Sequence, residues 1–284
     1  MSNNIEHNHC NGFPLTRPMT IQSLDRALNI LSLFSTARPW LGVTEIGKAL
    51  RLSKTTVHNL AKTLKKHGYL EQDPATRKYG LGLRLHELGS TLAGSLPINR
   101  FGISPARTLA RKTGLTARLA LWDRGSALVT LNIFPGSNAP FMPQLGPRVP
   151  AYCSSLGKAI LAFLSEDDLD RYLKETQMRA YTPNTITDRE NLLSDLRICR
   201  ERGWAMDREE YLQGMVCAGA PVLGTEGEPL GAVSMSGGPE KMKTSLKRGA
   251  AQELAACALE ISLQLGYEPG CREMNAAATG SAGL

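Results

Sequence analysis

The second part of this 284-residue chain contains no histidine. The absence excludes Cys–His and Ser–His nucleophile pairs, and histidine-based metal sites, from everything after residue 86, because each of these needs an imidazole. A Ser–Lys arrangement with Lys158 is the catalytic alternative that remains, and Asp207 alone would be a weak base for a cysteine. We therefore expect a protein that is not an enzyme. The histidines of the chain are His7, His9, His58, His67 and His86.

Long apolar runs and closely spaced cysteine pairs are also missing. No run approaches the about 18 apolar residues that a membrane span needs, and the polar N-terminus lacks the apolar core of a signal peptide. These absences predict a cytoplasmic protein that makes no membrane contact. Its cysteines are then free thiols in a reducing compartment. They are Cys10, Cys153, Cys199, Cys217, Cys257 and Cys271.

The N-terminal tail carries metal-binding side chains in the run His7-Asn8-His9-Cys10. In a flexible terminus such a run is more often adventitious than functional, and Pro14 and Pro18 discourage regular structure in residues 1–20. The sequence therefore predicts a disordered tail, with no metal site and no cofactor.

Positive charge is concentrated at the N-terminal end of the chain. The whole chain has a net charge of +7, and residues 1–96 hold 12 basic and 6 acidic residues of the totals of 33 and 26. A basic excess confined to one segment suits phosphate binding, because counterions are released only where the charges meet the backbone of a nucleic acid.

Residues 43–81 predict two short helices joined by a tight turn and followed by a hairpin. Thr44 is the predicted cap of the first helix and Ser53 that of the second, because a hydroxyl accepts a bond from an unpaired backbone N–H. Gly68 follows the second helix, where a left-handed residue is favoured. The second helix has an apolar stripe at three- and four-residue spacing, formed by Val57, Leu60, Ala61 and Leu64.

The other face of the second helix is polar and basic, and the hairpin carries Arg77 and Lys78 near its tip. Short polar groups reach base edges and lysines meet phosphates. A solvated charged face is the alternative for the helices alone, but the hairpin favours a winged helix-turn-helix that binds double-stranded DNA. The candidate DNA contacts are Arg26, Thr44, Ser53, Lys54, Thr55, Thr56, His58, Asn59, Lys62, Arg77 and Lys78.

The run LRLSKTTVHNLAKTLKKHGYLEQDPATRKYGLG, residues 50–82, closely resembles the DNA-binding domain of the isocitrate lyase regulator (IclR) family of bacterial transcription factors. The segment Arg26-Ala27-Leu28, with Ile30-Leu31 and Phe34, resembles the first helix of that family. The chain has Asn59 where the family usually has an arginine. The resemblance implies a regulator that forms homodimers or homotetramers, with the helix after the hairpin taking part.

From residue 98 the pattern changes to helices that alternate with short strands, which predicts an α+β domain. Arg118–Asp123 and Ala127–Phe134 read as a hairpin, and a closing helix is predicted over Leu246–Leu265. In the first helix of the chain, predicted over residues 21–35, Leu24, Leu28, Leu31 and Phe34 are expected to face inward. The predicted domains are a tail (1–20), a winged helix-turn-helix (21–82), a linker helix (83–97), an effector-binding domain (98–267) and a flexible tail (268–284).

Four stretches of the second domain suggest a ligand pocket: residues 151–158, Asp207 with 209–211, 214–217 and 233–237. The start of a predicted helix at Ser154 and Ser155 offers N–H groups to an anion, and Ser234 and Ser236 share one side of a strand. Cys217, on a neighbouring strand, could face the same side. Such donors suit a small carboxylate, although serines beside glycine are equally typical of ordinary turns and strand edges.

The phrases SSLGKAILAFL, GWAMDREEYLQGMVCAGAPV and GAVSMSGG match the effector-binding domain of the IclR family, which is similar to GAF sensor domains. The resemblance implies that a small organic or aromatic acid binds there. The family often has small residues where this chain has Ser155 and Leu156. Met142, Leu145 and Val149 are candidates for an apolar wall, or for ordinary core. The implied effector contacts are Ser154, Ser155, Leu156, Gly157, Asp207, Cys217, Ser234 and Ser236.

Together these patterns predict a transcriptional regulator, a repressor of a catabolic operon, whose operator affinity is set by a small acid. The predicted route from effector to DNA is the linker helix, since it joins the two domains. A thiol-based redox sensor is the alternative, in which Cys217 and Cys153 react with oxidants.

Overall fold

The computed structural model describes residues 21–136 and 148–269. The predicted tail at 1–20 with its His7–Cys10 run, nearly all of the tail at 268–284, and Met142 and Leu145 lie outside these residues. The chain divides into two compact units between Thr91 and Leu92. Within the described ranges, no helix is long and apolar enough to cross a membrane.

The first unit is a winged helix-turn-helix, as predicted. Its small core is fully apolar, and the hairpin joins it through Tyr79, whose side chain is 1% exposed. The strands β1 and β2 pair antiparallel, with Leu70 opposite Leu81. The elements are α1 (Gln22–Leu31), α2 (Val43–Leu50), α3 (Lys54–Lys66), β1 (Leu70–Gln72) and β2 (Tyr79–Leu81), and α4 (Arg84–Ser95) follows across the boundary between the units.

Two of the three predicted boundary signals around the turn are confirmed. Ser53 caps α3, its Oγ accepting the N–H of Thr56 at 3.1 Å, and Gly68 has φ +76° just after the helix. The predicted cap at Thr44 is wrong. The first turn of α2 is closed instead by the Glu45 carboxylate, which accepts the N–H of Gly42 at 2.8 Å. A charged acceptor forms the stronger bond there, and Thr44 is left on the exposed surface.

The predicted inward face of α1 is wrong at Leu24 and Leu28, whereas Leu31 and, just after the helix, Phe34 pack against the core as predicted. Ile30 is the buried residue of this helix, whereas Leu24 and Leu28 are 55% and 54% exposed. The hydrophobic spacing does predict a helix. However, α1 carries apolar residues on two sides, and the side with Ile30 packs into the core. Leu24 and Leu28 remain an uncovered apolar surface.

The second unit is an α+β domain built on one six-stranded antiparallel sheet, with the strand order β5-β4-β3-β8-β7-β6. The predicted hairpin is its β3–β4 pair. Its elements are α5 (Pro97–Thr113), β3 (Thr116–Asp123), β4 (Ser126–Ile133), β5 (Arg148–Pro150), a 3-10 turn (Ala151–Cys153), α6 (Ser155–Leu161), α7 (Glu166–Glu175), α8 (Arg189–Arg202), β6 (Ala205–Arg208), β7 (Val216–Leu223), β8 (Pro229–Gly237), α9 (Pro239–Lys247) and α10 (Ala250–Gln264).

Strand alternation gives the sheet two different faces. Val233 and Met235 of β8 pack with α5 and α10, while the neighbouring Ala232 belongs to a second cluster that includes α6, α7 and α8. The face toward α6 therefore also receives Ser234 and Ser236. The predicted closing helix is two helices, because Gly249 has φ +88° and breaks the segment between α9 and α10.

Candidate functional site

The exposed face of α3 carries the polar residues expected at a DNA interface. Lys54, Thr55, His58, Asn59 and Lys62 are all exposed. The opposite face of the helix is fixed in the core, since Val57 and Ala61 are 0% exposed. Burial of that stripe sets which side chains the helix presents to a partner.

Ser53 and Thr56 hold the start of α3. Their hydroxyl oxygens lie 2.8 Å apart, and the Ser53 Oγ also accepts the Thr56 N–H. These two candidate DNA contacts therefore also have a structural role. Thr44 is exposed on the first turn of α2, and Arg26 on α1 is half-buried.

The tip of the hairpin is held by Asp73. Its carboxylate accepts the N–H groups of Ala75 and Thr76 at 2.7 and 3.3 Å, and these bonds to backbone, that of Ala75 first, hold the pKa of Asp73 below its usual value. Arg77, at φ +59°, is exposed at the tip. Lys78 instead lies 3.7 Å from the carboxylate of Glu45 on α2. The hairpin thus offers Arg77 as its projecting cation.

In the second unit, four strands place polar side chains in two adjacent rows. Strand register puts Asp207, Cys217, Ser236 and Thr116 opposite one another in one row. In the next row Ser234 of β8 lies opposite Arg118 of β3. These residues come from sequence positions far apart, and the order β3-β8-β7-β6 brings them to one surface.

A cavity of about 20 Å³ opens on this surface. Seven of the eight predicted effector contacts line it, all except Gly157, and Val149 lines it too. A volume of this size admits about one water molecule, so an effector must displace side chains on entering. The lining residues are Arg118, Val149, Ser154, Ser155, Leu156, Asp207, Tyr211, Leu212, Met215, Cys217, Ser234 and Ser236.

Two glycines allow α6 to lie directly on the sheet. A Cβ at Gly219 would come within 2.5 Å of the Ser155 carbonyl oxygen, and one at Gly157 within 2.1 Å of the Ala151 Cα. The N–H of Gly157 donates to the Ser154 Oγ at 3.2 Å, and the Ser154 hydroxyl donates to the Pro150 carbonyl at 2.7 Å. Gly157 and Ser154 therefore have a structural role at the start of α6. Because α6 has only 7 residues and Ser154 caps it, we assign no anion site to its N-terminus.

Asp207 occupies the acidic end of the cavity and is 4% exposed. Burial, together with the neighbouring charge of Glu210, raises the pKa of its carboxyl to about 7. Its Oδ1 accepts the backbone N–H of Glu210 at 2.7 Å. The side chain is therefore held in place and titrates near neutral pH.

A buried charge cluster that the sequence reasoning missed is linked to Asp207 through Glu210. Lys158 is 0% exposed, and its Nζ lies 2.8 Å from Asp195 and 2.7 Å from Glu210. Burial alone would lower the pKa of Lys158, but the two carboxylates outweigh it and the pKa is raised. The cluster ties α6, α8 and the segment after β6 together. Sequence reasoning considered Lys158 only as a catalytic base, a role that this pairing opposes.

Arg118 was also missed as a site residue. It begins the predicted strand RLALWD, but its relation to Ser234 depends on β3 pairing with β8, which is not visible in the sequence. Its side chain is 6% exposed and reaches the cavity.

Cys153 and Cys217 of the second unit have raised pKa values, whereas a redox sensor needs a cysteine with a lowered pKa. Burial raises the pKa of both Cys153 and Cys217 to about 12, and the nearby Asp207 charge adds to the effect. Reactive cysteines have lowered pKa values, because the thiolate is the nucleophile. In the part of the chain that the structure describes, no group of His, Cys, Asp and Glu could hold a metal ion.

Comparison with known proteins places both units in one family. Residues 23–74 match the IclR helix-turn-helix domain, and residues 93–263 match the domain described as bacterial transcriptional regulator IclR C-terminal. The HTH-type transcriptional regulator XynR of Escherichia coli K12 is 36% identical over 247 residues, 87% of this chain and 98% of XynR. KdgR of the same organism is 30% identical over 251 residues, 88% of this chain and 95% of KdgR.

The fold agrees with these matches. A crystal structure of an IclR transcriptional regulator from Alicyclobacillus acidocaldarius has a TM-score of 0.78 at 26% identity, covering 87% of this chain and 100% of that chain. Since XynR and KdgR are transcriptional regulators, they confirm the prediction of a regulator rather than an enzyme. The chain belongs to the IclR family of DNA-binding transcriptional regulators.

Proposed function

We propose that the protein represses a catabolic operon and that a small acid bound in the cavity of the second unit controls its affinity for the operator. The observation that carries this proposal is the meeting of seven implied effector contacts around one buried polar cavity. The operator is bacterial chromosomal DNA, so the protein acts in the cytoplasm. The linker helix α4 joins the two units and is the covalent route between effector and DNA.

For DNA binding, we assign the exposed face of α3 to the major groove. Lys54, Thr55, His58 and Asn59 lie toward its start, where side chains reach base edges in this class of domain. Lys62, further along the helix, and Arg77, at the hairpin tip, meet phosphates. The burial of Val57 and Ala61 supports this orientation, because it fixes which side of the helix is free.

The DNA assignment is tested by replacing Lys54 and Thr55 together with alanine. A duplex enriched by the wild-type protein from a random-sequence library serves as the probe, and its affinity is measured by fluorescence anisotropy. We expect at least a 100-fold loss, because base and phosphate contacts are removed together.

The matched control for that variant is Lys243→Ala with Thr244→Ala, an exposed Lys–Thr pair on α9 of the other unit. It should bind DNA as the wild type does. Equal affinity of the α3 variant and this control would show that another surface reads the operator.

We further propose that the regulator works as a homodimer or homotetramer. The supporting observation is the set of exposed leucines on two helices and just before the second: Leu24 and Leu28 on α1, Leu83, and Leu88 and Leu92 on α4, which are 42–78% exposed. The described helix α4 has no buried residue of its own. Exposed leucines that repeat along a helix are typical of interfaces between copies. Sedimentation velocity of the full-length protein at micromolar concentration tests the proposal, and a monomer would contradict it.

A further inference from the structure

Arg118 is a buried cation that lacks an acidic partner. Its side chain is 6% exposed, and its Nε donates to the Asn132 side-chain oxygen at 3.1 Å. Among residues 21–136 and 148–269, no carboxylate forms an ion pair with it. A guanidinium taken out of water is costly unless an anion neutralises it, so an anion is expected at its free end.

Lys158 is the other buried cation in the described part of this unit, and carboxylates neutralise it. Two carboxylates, of Asp195 and Glu210, lie within 2.8 Å of its Nζ. Both cations are buried in the same unit, but Lys158 does not line the cavity and is paired, whereas Arg118 lines the cavity and is not paired. The difference locates the missing anion in the cavity.

The groups around Arg118 indicate which second functional group the bound anion has. Ser234 lies directly across from Arg118 in the sheet, and Ser236 follows two residues later on the same side. The Ser236 hydroxyl is buried, and in the described part of the chain its one neighbouring partner is the thiol of Cys217, a weak hydrogen-bonding group, with no nitrogen or oxygen partner. Buried hydroxyls are almost always bonded, so this one marks a second contact for a ligand.

Asp207 limits the charge of the ligand. It lies at the other side of the same surface, on β6, two strands beyond the β8 serines. A second carboxylate at that end would meet the Asp207 side chain in a buried setting. Once Asp207 is ionised, above its pKa of about 7, the like charges repel strongly.

We infer that Arg118 binds the carboxylate of the effector and restricts the cavity to acids with a single negative charge and a hydroxyl or carbonyl group for Ser236. The inference rests on the proposed function, since it names the ligand class of the same cavity. Arg118 is thereby a specificity-determining residue that the implied family contacts did not include.

The first experiment needs no ligand. The full-length Arg118→Gln variant is compared with the wild type by thermal unfolding, with Arg107→Gln, at an exposed position on α5, as matched control. Removal of an unneutralised buried cation should leave the melting temperature equal or raise it, and the glutamine amide can still donate to Asn132. A large fall for Arg118→Gln alone would show that Arg118 is structural and would overturn the inference.

The second experiment supplies probes to the same three proteins. Glyoxylate, pyruvate, D-gluconate and 4-hydroxybenzoate are compared with pyruvamide, 4-hydroxybenzamide and the dicarboxylates malonate and oxaloacetate. We expect at least one monocarboxylate to raise the melting temperature of the wild type and Arg107→Gln, since a ligand of the native state stabilises it. The amides and dicarboxylates should give no shift at pH 8, where Asp207 is ionised. The affinity of Arg118→Gln for that acid, by calorimetry, should fall at least 10-fold, and Arg118→Lys should retain part of it.

The remaining outcomes separate the inference from the proposed function. Equal stabilisation of wild type and Arg118→Gln by an acid would overturn the role of Arg118 and leave an acid-sensing regulator. Stabilisation by the amides or dicarboxylates in place of monocarboxylates would overturn the ligand class alone. If no probe stabilises the wild type, both the inference and the acid effector are overturned, while DNA binding through α3 stands on its own test.

Discussion

The recognition helix and the cavity use the same kinds of side chain in opposite surroundings. Lys54 and Lys62 of α3 are exposed, whereas Lys158 and Arg118 are 0% and 6% exposed. An exposed charge keeps its hydration, so it contributes little to stability and is free to meet DNA. A buried charge must be neutralised by the fold or by a ligand. The same substitution should therefore affect stability in one region and only binding in the other.

The largest effect is expected at Lys158. Lys158→Met should lower the free energy of unfolding by about 3–5 kcal/mol, because the carboxylates of Asp195 and Glu210 would stay buried without their cation. Urea unfolding followed by circular dichroism measures the change. Lys243→Met, at an exposed position on α9, should differ from the wild type by less than about 0.5 kcal/mol. Similar losses of unfolding free energy in the two variants would show that burial does not make Lys158 more important for stability than an exposed lysine.

A smaller effect, dependent on pH, is expected at Asp207. Its pKa is raised in the folded state, to about 7, so the folded state holds the proton more tightly than the unfolded chain and loses stability as the pH rises from about 4 to about 7. Asp207→Asn removes this loss, and its oxygen can still accept the N–H of Glu210. The variant should therefore gain stability relative to the wild type, by about 1–2 kcal/mol more at pH 8 than at pH 5.5.

Thermal or urea unfolding at the two pH values measures this difference. A gain that is the same at both values would show that Asp207 does not titrate in this range. The titratable and charged groups that act on Asp207, or on which it acts, are Cys153, Lys158, Glu210, Tyr211 and Cys217.

The smallest effect on stability is expected at the recognition helix. Lys62→Ala should change the free energy of unfolding by less than about 0.5 kcal/mol, since the side chain is exposed. It should nevertheless reduce the slope of log affinity for DNA against log salt by about 1, because one phosphate contact and its released counterion are lost. Binding isotherms at several salt concentrations measure the slope. An unchanged slope would remove Lys62 from the interface.

Much of the DNA-binding unit was predictable because its signals are local. The cap at Ser53, the left-handed Gly68 and the stripe through Val57 and Ala61 each depend on residues within one or two helical turns. The two errors, at Thr44 and on the inward face of α1, have a common cause. In each case a second residue can fill the same role, and sequence spacing does not show which one prevails. The Glu45 carboxylate caps α2 instead of Thr44, and Ile30 is buried instead of Leu24 and Leu28.

The cavity was predictable only in part. Ser234 and Ser236 share a face by the period of a strand, and family motifs implied Asp207 and Cys217. Arg118 and the Lys158 cluster were out of reach, because they are defined by which strands are neighbours and by contacts between residues 37 and 52 positions apart. Sheet order is a global property, and hydrophobic periodicity carries no information about it.

Gly219 gives this arrangement a consequence for how the sensor can evolve. Any side chain there would collide with the backbone of Ser155 and lift α6 from the sheet. The position therefore tolerates almost no residue other than glycine. A descendant that senses a different metabolite would have to change around it, at Arg118, Cys217 or Ser236, while keeping Gly219 itself. Gly219 thus fixes how closely α6 lies on the sheet, and the side chains that line the cavity are the positions at which ligand preference can change.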